Sequence, residues 1–137
     1  MKKRKAVVTG ITGQDGSYLA EHLLERGYEV YGFIRRNSVA EHQESRIDHL
    51  MRNNSIHTEY CDLLDVSSID RMLRTVKPDE IYNIAAQSHV RISFDIPQFT
   101  VQTNALGLLN LLESMRQHCP KAKVYQASSS EMFGSSV

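Results

Sequence analysis

Thr9-Gly10-Ile11-Thr12-Gly13-Gln14-Asp15-Gly16 follows the run Lys5-Ala6-Val7-Val8 and leads directly into Ser17-Tyr18-Leu19-Ala20. Three glycines at three-residue spacing thus occupy the junction between an apolar strand at 5–9 and a helix at 17–26, whose apolar positions are Tyr18, Leu19, Leu23 and Leu24. Each glycine has a separate task. Gly10 lets the chain turn, Gly13 lets backbone amides approach a diphosphate with no Cβ between them, and Gly16 lets the helix pack closely. The start of the helix then meets the anion with its unpaired N–H groups. A glycine triad alone describes many tight turns; the strand before it and the helix after it make this one a candidate dinucleotide cradle.

Outward from the turn, the chain keeps alternating short β-branched runs with longer segments of helical period. Gly27 stops the first helix. Further strands are expected at 29–34, 56–61, 80–84 and 123–126. A helix at 67–75 is expected behind a serine cap, with Ile69, Met72 and Leu73 on one face and Pro78 closing it. The longest helix is expected at 99–117, with Val101, Ala105, Leu108, Leu109, Leu112 and Met115 as its apolar stripe. The polar stretch 37–54 reads as a surface excursion with a short helix at 45–51, either a solvated loop or a binding element. Parallel strands joined by right-handed helical crossovers give an α/β, Rossmann-like doubly wound parallel sheet, with ligands beyond the carboxyl ends of its strands.

Composition narrows the function. The chain has 137 residues, 41% hydrophobic and 23% charged, enough for the core of one ordinary domain. Sixteen Lys plus Arg balance sixteen Asp plus Glu, so no overall basic field attracts nucleic acid or an anionic membrane, and an anion must be bound locally. The longest dense apolar stretch, 105–112, falls far short of the ~20 residues of a membrane helix. The basic start turns at once into a strand, with no long apolar segment of a signal peptide, and the expected location is cytoplasmic. Cys61 and Cys119 lie far apart, and none of the six histidines falls into a metal-ligand spacing, so reduced thiols and no metal are expected.

The ends of the other strands hold further candidates. In this fold the second strand usually ends in an acid that holds the ribose hydroxyls of NAD. Here it ends in Arg35-Arg36-Asn37-Ser38. Two always-charged guanidinium forks suit a 2′-phosphate, so NADP is the expected cofactor; a merely basic surface loop would bind NAD and NADP equally. Asp62-Leu63 follows the third strand, where Asp62 either accepts from an adenine amine or simply opens the next turn. The fourth strand ends in Asn83-Ile84-Ala85-Ala86-Gln87-Ser88, whose small residues allow a cofactor to lie against the backbone and equally suit plain packing.

Taken with Arg46-Ile47-Asp48-His49-Leu50, Ala85-Ala86-Gln87-Ser88-His89-Val90 and Gln126-Ala127-Ser128-Ser129-Ser130-Glu131, these segments resemble, in the same order, the extended short-chain dehydrogenase/reductases, and most specifically the branch that dehydrates GDP-mannose. The resemblance covers essentially the whole chain. It implies cofactor contacts at Gly10, Ile11, Thr12, Gly13, Gln14, Asp15 and Gly16, at Arg35, Arg36, Asn37 and Ser38, at Asp62 and Leu63, and at Ile84, Ala85, Ala86, Gln87 and Ser88. Phe99 stands where the family has a cofactor-bonding tyrosine. Ser129 stands where it has a catalytic threonine, and Glu131 keeps its carboxylate. Asn104, Gly107 and Asn110-Leu111-Leu112-Glu113 are closer to the general extended pattern.

The implied reaction is redox-neutral: C4 of the sugar is oxidised, water is lost across C5 and C6, and C6 is reduced, giving the 4-keto-6-deoxy product. Glu131 would take the C5 proton, Ser129 would hydrogen-bond the C4 oxygen, and Ser88 would touch the sugar. The Tyr-x-x-x-Lys pair that supplies the family's C4 base is not in this chain; four residues after Tyr18, Tyr28, Tyr31, Tyr60, Tyr82 and Tyr125 stand His22, Gly32, Arg35, Leu64, Ala86 and Ser129. The expectation is an NADP-binding domain at 1–137 that forms the amino-terminal part of a longer, homo-oligomeric enzyme, with the substrate-binding domain outside it and negligible turnover by this chain alone. Another nucleotide-sugar epimerase or dehydratase, or a noncatalytic NADP-binding module, are the competing readings.

Overall fold

The computed structural model describes residues 2–35, 46–86 and 90–135, the side chains of Ser130 and Glu131 excepted. Its elements are β1 (Lys5–Thr9), α1 (Gln14–Glu25), β2 (Glu29–Ile34), α2 (Asp48–Arg52), β3 (Ile56–Tyr60), α3 (Val66–Val76), β4 (Glu80–Asn83), α4 (Val90–Asp95), α5 (Pro97–Val101), a π-helical turn (Gln102–Leu106), α6 (Gly107–His118), β5 (Lys123–Gln126) and a 3-10 turn (Ser130–Phe133). The five strands are all parallel, in the order β3-β2-β1-β4-β5.

Alternation along β1 explains why both faces of the sheet carry a core. Val7 points into a cluster with Phe33, Leu63, Ile69, Leu73, Ile81 and Leu111, beneath α3 and α6. Ala6 and Val8 point into the opposite cluster with Ile11, Ala20, Leu23, Val30, Ile47 and Leu50, beneath α1 and α2. A strand buried on both faces reads as a continuous apolar run, as this one does.

The strands lie where their sequences placed them, except that β3 and β4 stop one residue early. Ile84 leaves the ladder because its N–H donates to the Thr9 hydroxyl at 3.1 Å. α1 begins at Gln14 rather than Ser17: the Ser17 N–H already donates to Gly13 O at 3.0 Å, which puts Gly16 inside the first turn. Gly27, at φ +80°, ends it as expected. α2 starts at Asp48, beyond the anchoring Ile47. The cap of α3 is Asp65 and not a serine; its Oδ1 accepts from the N–H groups of Ser67 and Ser68 at 3.1 and 3.4 Å.

The long helix expected at 99–117 is divided. Five π-helical residues separate α5 from α6. This rotates the face presented to the core, so that Thr103, Gly107, Leu111 and Ser114 are buried while Val101, Ala105, Leu109 and Leu112 are exposed. Of the expected stripe only Leu108 and Met115 are even half-buried.

At the amino end of the sheet, Glu80 accepts from the hydroxyls of Tyr28 and Tyr82 at 3.2 and 2.7 Å. Partial burial, and then the neighbouring carboxylate, push the Tyr82 hydroxyl up to about 12. That end is closed by local bonds.

Candidate functional site

At the carboxyl end, β1 continues to β2 on one side while β4 flanks it on the other, so the strand order reverses between β1 and β4. A crevice opens at such a reversal, and the glycine turn leaves β1 there.

Thr9 fixes the crevice floor. Its hydroxyl, 1% exposed, donates to Asn83 Oδ1 at 2.6 Å and accepts the N–H groups of Ile84 and Ala85 at 3.1 Å each. Asn83 Nδ2 in turn donates to Gln126 Oε1 at 2.7 Å, and Asn83 O accepts the Ala127 N–H at 3.2 Å. One polar string therefore joins the carboxyl ends of β1, β4 and β5. Thr9, Asn83 and Gln126 did not stand out as functional in the sequence; the only signal was a hydroxyl placed immediately before the first glycine.

The turn itself admits no side chains at two of its glycines. Gly10 sits at φ +67°, and a Cβ there would lie 3.0 Å from Ala85 N. A Cβ at Gly16 would lie 2.3 Å from Gly10 O and 2.8 Å from Ile11 Cα, both backbone atoms that cannot step aside. Ile11, wholly buried, anchors the turn in the core against β2, where a Cβ at Gly32 would lie 2.5 Å from Ile11 Cδ1. Gly13 is the N-cap of α1 and provides no side-chain cap. The first amides of a twelve-residue helix are thus presented at the mouth of the crevice, beside backbone that lies close because no Cβ intervenes. A dinucleotide diphosphate fits this set of donors. Asp15, in the first turn, is the one acid set against it.

The other candidates fall around this cradle to different degrees. Ile84 and Ala85 are brought against Gly10. Arg35 follows β2, the strand beside β1, and is exposed. Asp62 is exposed, and its Oδ1 accepts the Leu64 N–H at 2.9 Å, so the turn-opening role is realised. Leu63 is buried below α6, and its carbonyl accepts from Asn110 Nδ2 at 2.8 Å. Phe99 lies on α5, 40% exposed, where it offers a ring and no hydrogen bond. Arg36, Asn37, Ser38, Gln87 and Ser88 lie outside the described residues.

Ser129 and Glu131 belong to the segment that follows β5. Ser128, just before them, sits at φ +60°, a left-handed conformation that costs a non-glycine residue on the order of 1 kcal/mol and concentrates at functional sites. Its hydroxyl donates to Met132 Sδ, and the Met132 N–H donates to Ser129 O at 3.3 Å, closing the segment into a tight turn. Cys61, at the end of β3, is no rival nucleophile: burial pushes its thiol up to about 11. Among the described residues no group of histidine, cysteine and acidic side chains is arranged to hold a metal, and no helix is long and apolar enough to cross a membrane.

Comparison with known proteins points the same way. A family model described as GDP-mannose 4,6 dehydratase matches residues 7–137. The chain is 50% identical to the GDP-mannose 4,6-dehydratase of Vibrio cholerae, covering 98% of this chain and 37% of that protein. It is 52% identical to GDP-mannose 4,6 dehydratase 1 of Arabidopsis thaliana, with 98% and 40% covered, and 48% identical to the human enzyme, with 94% and 36% covered. The chain thus spans well under half the length of these relatives. Among solved structures, the UDP-glucose 4-epimerase of Thermus thermophilus, in complex with NAD, aligns with a TM-score of 0.72 at 32% identity over 83% of this chain and 34% of that one. The Brucella ovis UDP-glucose 4-epimerase shares the fold, with a TM-score of 0.81 at 21% identity over 96% of this chain and 37% of that one. With the family model running from Val7 to the last residue, this chain belongs to the GDP-mannose 4,6 dehydratase family.

Proposed function

We propose that this chain is the NADP-holding part of an enzyme that converts GDP-mannose to its 4-keto-6-deoxy product. The observation that carries the reading is the Gly10–Ala85 approach beneath the uncapped start of α1, a diphosphate cradle at the sheet's reversal point within a chain of this family. Epimerases of the same fold are described in complex with NAD, and the relatives' names give GDP-mannose as the substrate. The guanidinium of Arg35 at the end of β2, where an acid would serve NAD, favours the phosphorylated cofactor.

When bound, the nicotinamide supplies a reversible acceptor for hydride, so oxidation at C4 and reduction at C6 balance within one turnover. The chain's own residues do the remaining work. The amides at the start of α1 hold the diphosphate, and the turn of Ile84 and Ala85 supports it from the β4 side. The Ser129 hydroxyl donates a hydrogen bond to the C4 oxygen, which sharpens the acidity of the C5 proton once C4 is a ketone. The Glu131 carboxylate takes that proton and returns it to the departing C6 hydroxyl as water forms. The Tyr-x-x-x-Lys pair needed for the C4 hydroxyl proton would lie beyond residue 137.

Calorimetric titration of the chain with NADP and NAD tests the binding half: NADP is expected to bind at least about tenfold tighter, and equal or reversed affinities would refute the assignment. The catalytic half is tested by the intact mass of the polypeptide made in its native cell. A mass two to three times that of this chain, with consumption of GDP-mannose by that polypeptide, is the expected result. A mass matching 137 residues would leave a nucleotide-binding module and no dehydratase.

A further inference from the structure

Arg46 opens the segment Arg46-Ile47-Asp48-His49-Leu50 and has no part in the cradle as described above. Its Nη1 donates to the carbonyl of Thr12 at 3.1 Å. Thr12 lies inside the glycine turn, so a cation from the connection between β2 and β3 rests on the edge of the phosphate site. The contact uses one of the turn's acceptors and none of its amide donors, which leaves the amides to the diphosphate. Nor is it a chance encounter of a loose arm: the next residue, Ile47, is fully buried in the same cluster as Ile11 and Leu50. The backbone of Arg46 is therefore pinned to the core that also pins the turn.

Charge and position say what this cation addresses. Among the described residues Arg46 has no acidic partner; Asp48, the nearest acid in sequence, pairs instead with Arg52 at 3.7 Å. The guanidinium has five N–H donors, and the Thr12 carbonyl takes one. It approaches from the β2 side, and β2 ends in Arg35. In this fold the end of the second strand faces the adenosine ribose, not the nicotinamide. A planar, permanently charged donor fork at that place matches a phosphate monoester on the ribose.

We propose that Arg46 is a specificity-determining residue: braced on the Thr12 carbonyl, it holds the ribose 2′-phosphate and selects NADP over NAD. The assignment rests on the dinucleotide reading of the cradle, and it adds a residue that neither the glycine spacing nor the double arginine marks.

The test is calorimetric titration of the whole chain and of its Arg46→Gln and Arg46→Lys variants with NADP and with NAD. Arg46→Gln is expected to weaken NADP about tenfold and NAD less than about twofold. Arg46→Lys, which keeps the charge and loses the fork, should fall between Arg46→Gln and the parent for NADP alone. The dependence of NADP affinity on salt should be shallower in Arg46→Gln, since one fewer charge meets the phosphate. Equal weakening of both cofactors would reduce Arg46 to a brace for the turn and overturn the proposal, as would unchanged NADP affinity in both variants. Should Arg46→Gln fail to fold, the ratio of NADP to NAD affinity in Arg46→Lys decides by the same criterion. Failure of the parent chain to bind either cofactor would overturn the cradle itself. A parent that discriminates between the cofactors while both variants match it would overturn Arg46 alone.

Discussion

β1 buries four of its five residues and β5 none of its four, although Val124 and Tyr125 are as apolar as much of what β1 carries. The two strands belong to one sheet and differ in what lies over them. β1 and β2 are sandwiched between α1 and α2 on one face and α3 and α6 on the other. On the β5 side, Phe94, Val101, Leu109, Tyr125, Met132 and Phe133 are all more than half exposed. Apolar periodicity states that a face needs cover; it does not state what supplies the cover. The half that holds the glycine turn is complete within these residues, and the half that carries Ser129 is not.

The largest test of this contrast is Gly16→Val. A side chain there meets the backbone of Gly10 and Ile11, so the closed half must open: a loss of about 3 kcal/mol or more in denaturant unfolding is expected, together with loss of nucleotide binding. Unchanged stability would show that the turn is softer than the geometry implies. Asp65→Ala probes α3, which closes the second face of β1. Removing a cap that serves two amides should lower stability by about 1 kcal/mol, with little effect on cofactor affinity. Smallest of all is Phe94→Ser on the open side, where the ring is 80% exposed. Stability should shift by less than about 0.5 kcal/mol, while binding of a hydrophobic dye falls. A loss above about 1.5 kcal/mol would mean that Phe94 is covered in solution.

The same contrast explains what could be read from the sequence. All five strands and the helix after β1 were legible because each carries its own pattern and is closed by glycine, proline or a change of period. The glycine turn was legible for a stronger reason: its backbone conformation excludes other residues, so the constraint is written in the residue type. The stripe on the long helix was misread, because a π-helical turn inserts one residue per turn without any Pro or Gly to announce it, and rotates all that follows. The cap of α3 was misassigned by a shift of two residues, since serines follow the aspartate that does the capping. Thr9, Asn83, Gln126 and Arg46 were passed over because their importance lies in partners 34 to 75 residues away, which no local spacing records.

Gly32 lies in the middle of β2 and has no polar side chain to offer a nucleotide. Its missing Cβ is nevertheless the space that Ile11 fills, and Ile11 sits within the phosphate turn. In a map of every substitution that weakens nucleotide binding, position 32 would stand beside Gly10 and Gly16, as intolerant as they are. Such a map would draw the binding site larger than any set of direct contacts, extending it one strand over into the sheet, to a residue recognisable only by what it leaves empty.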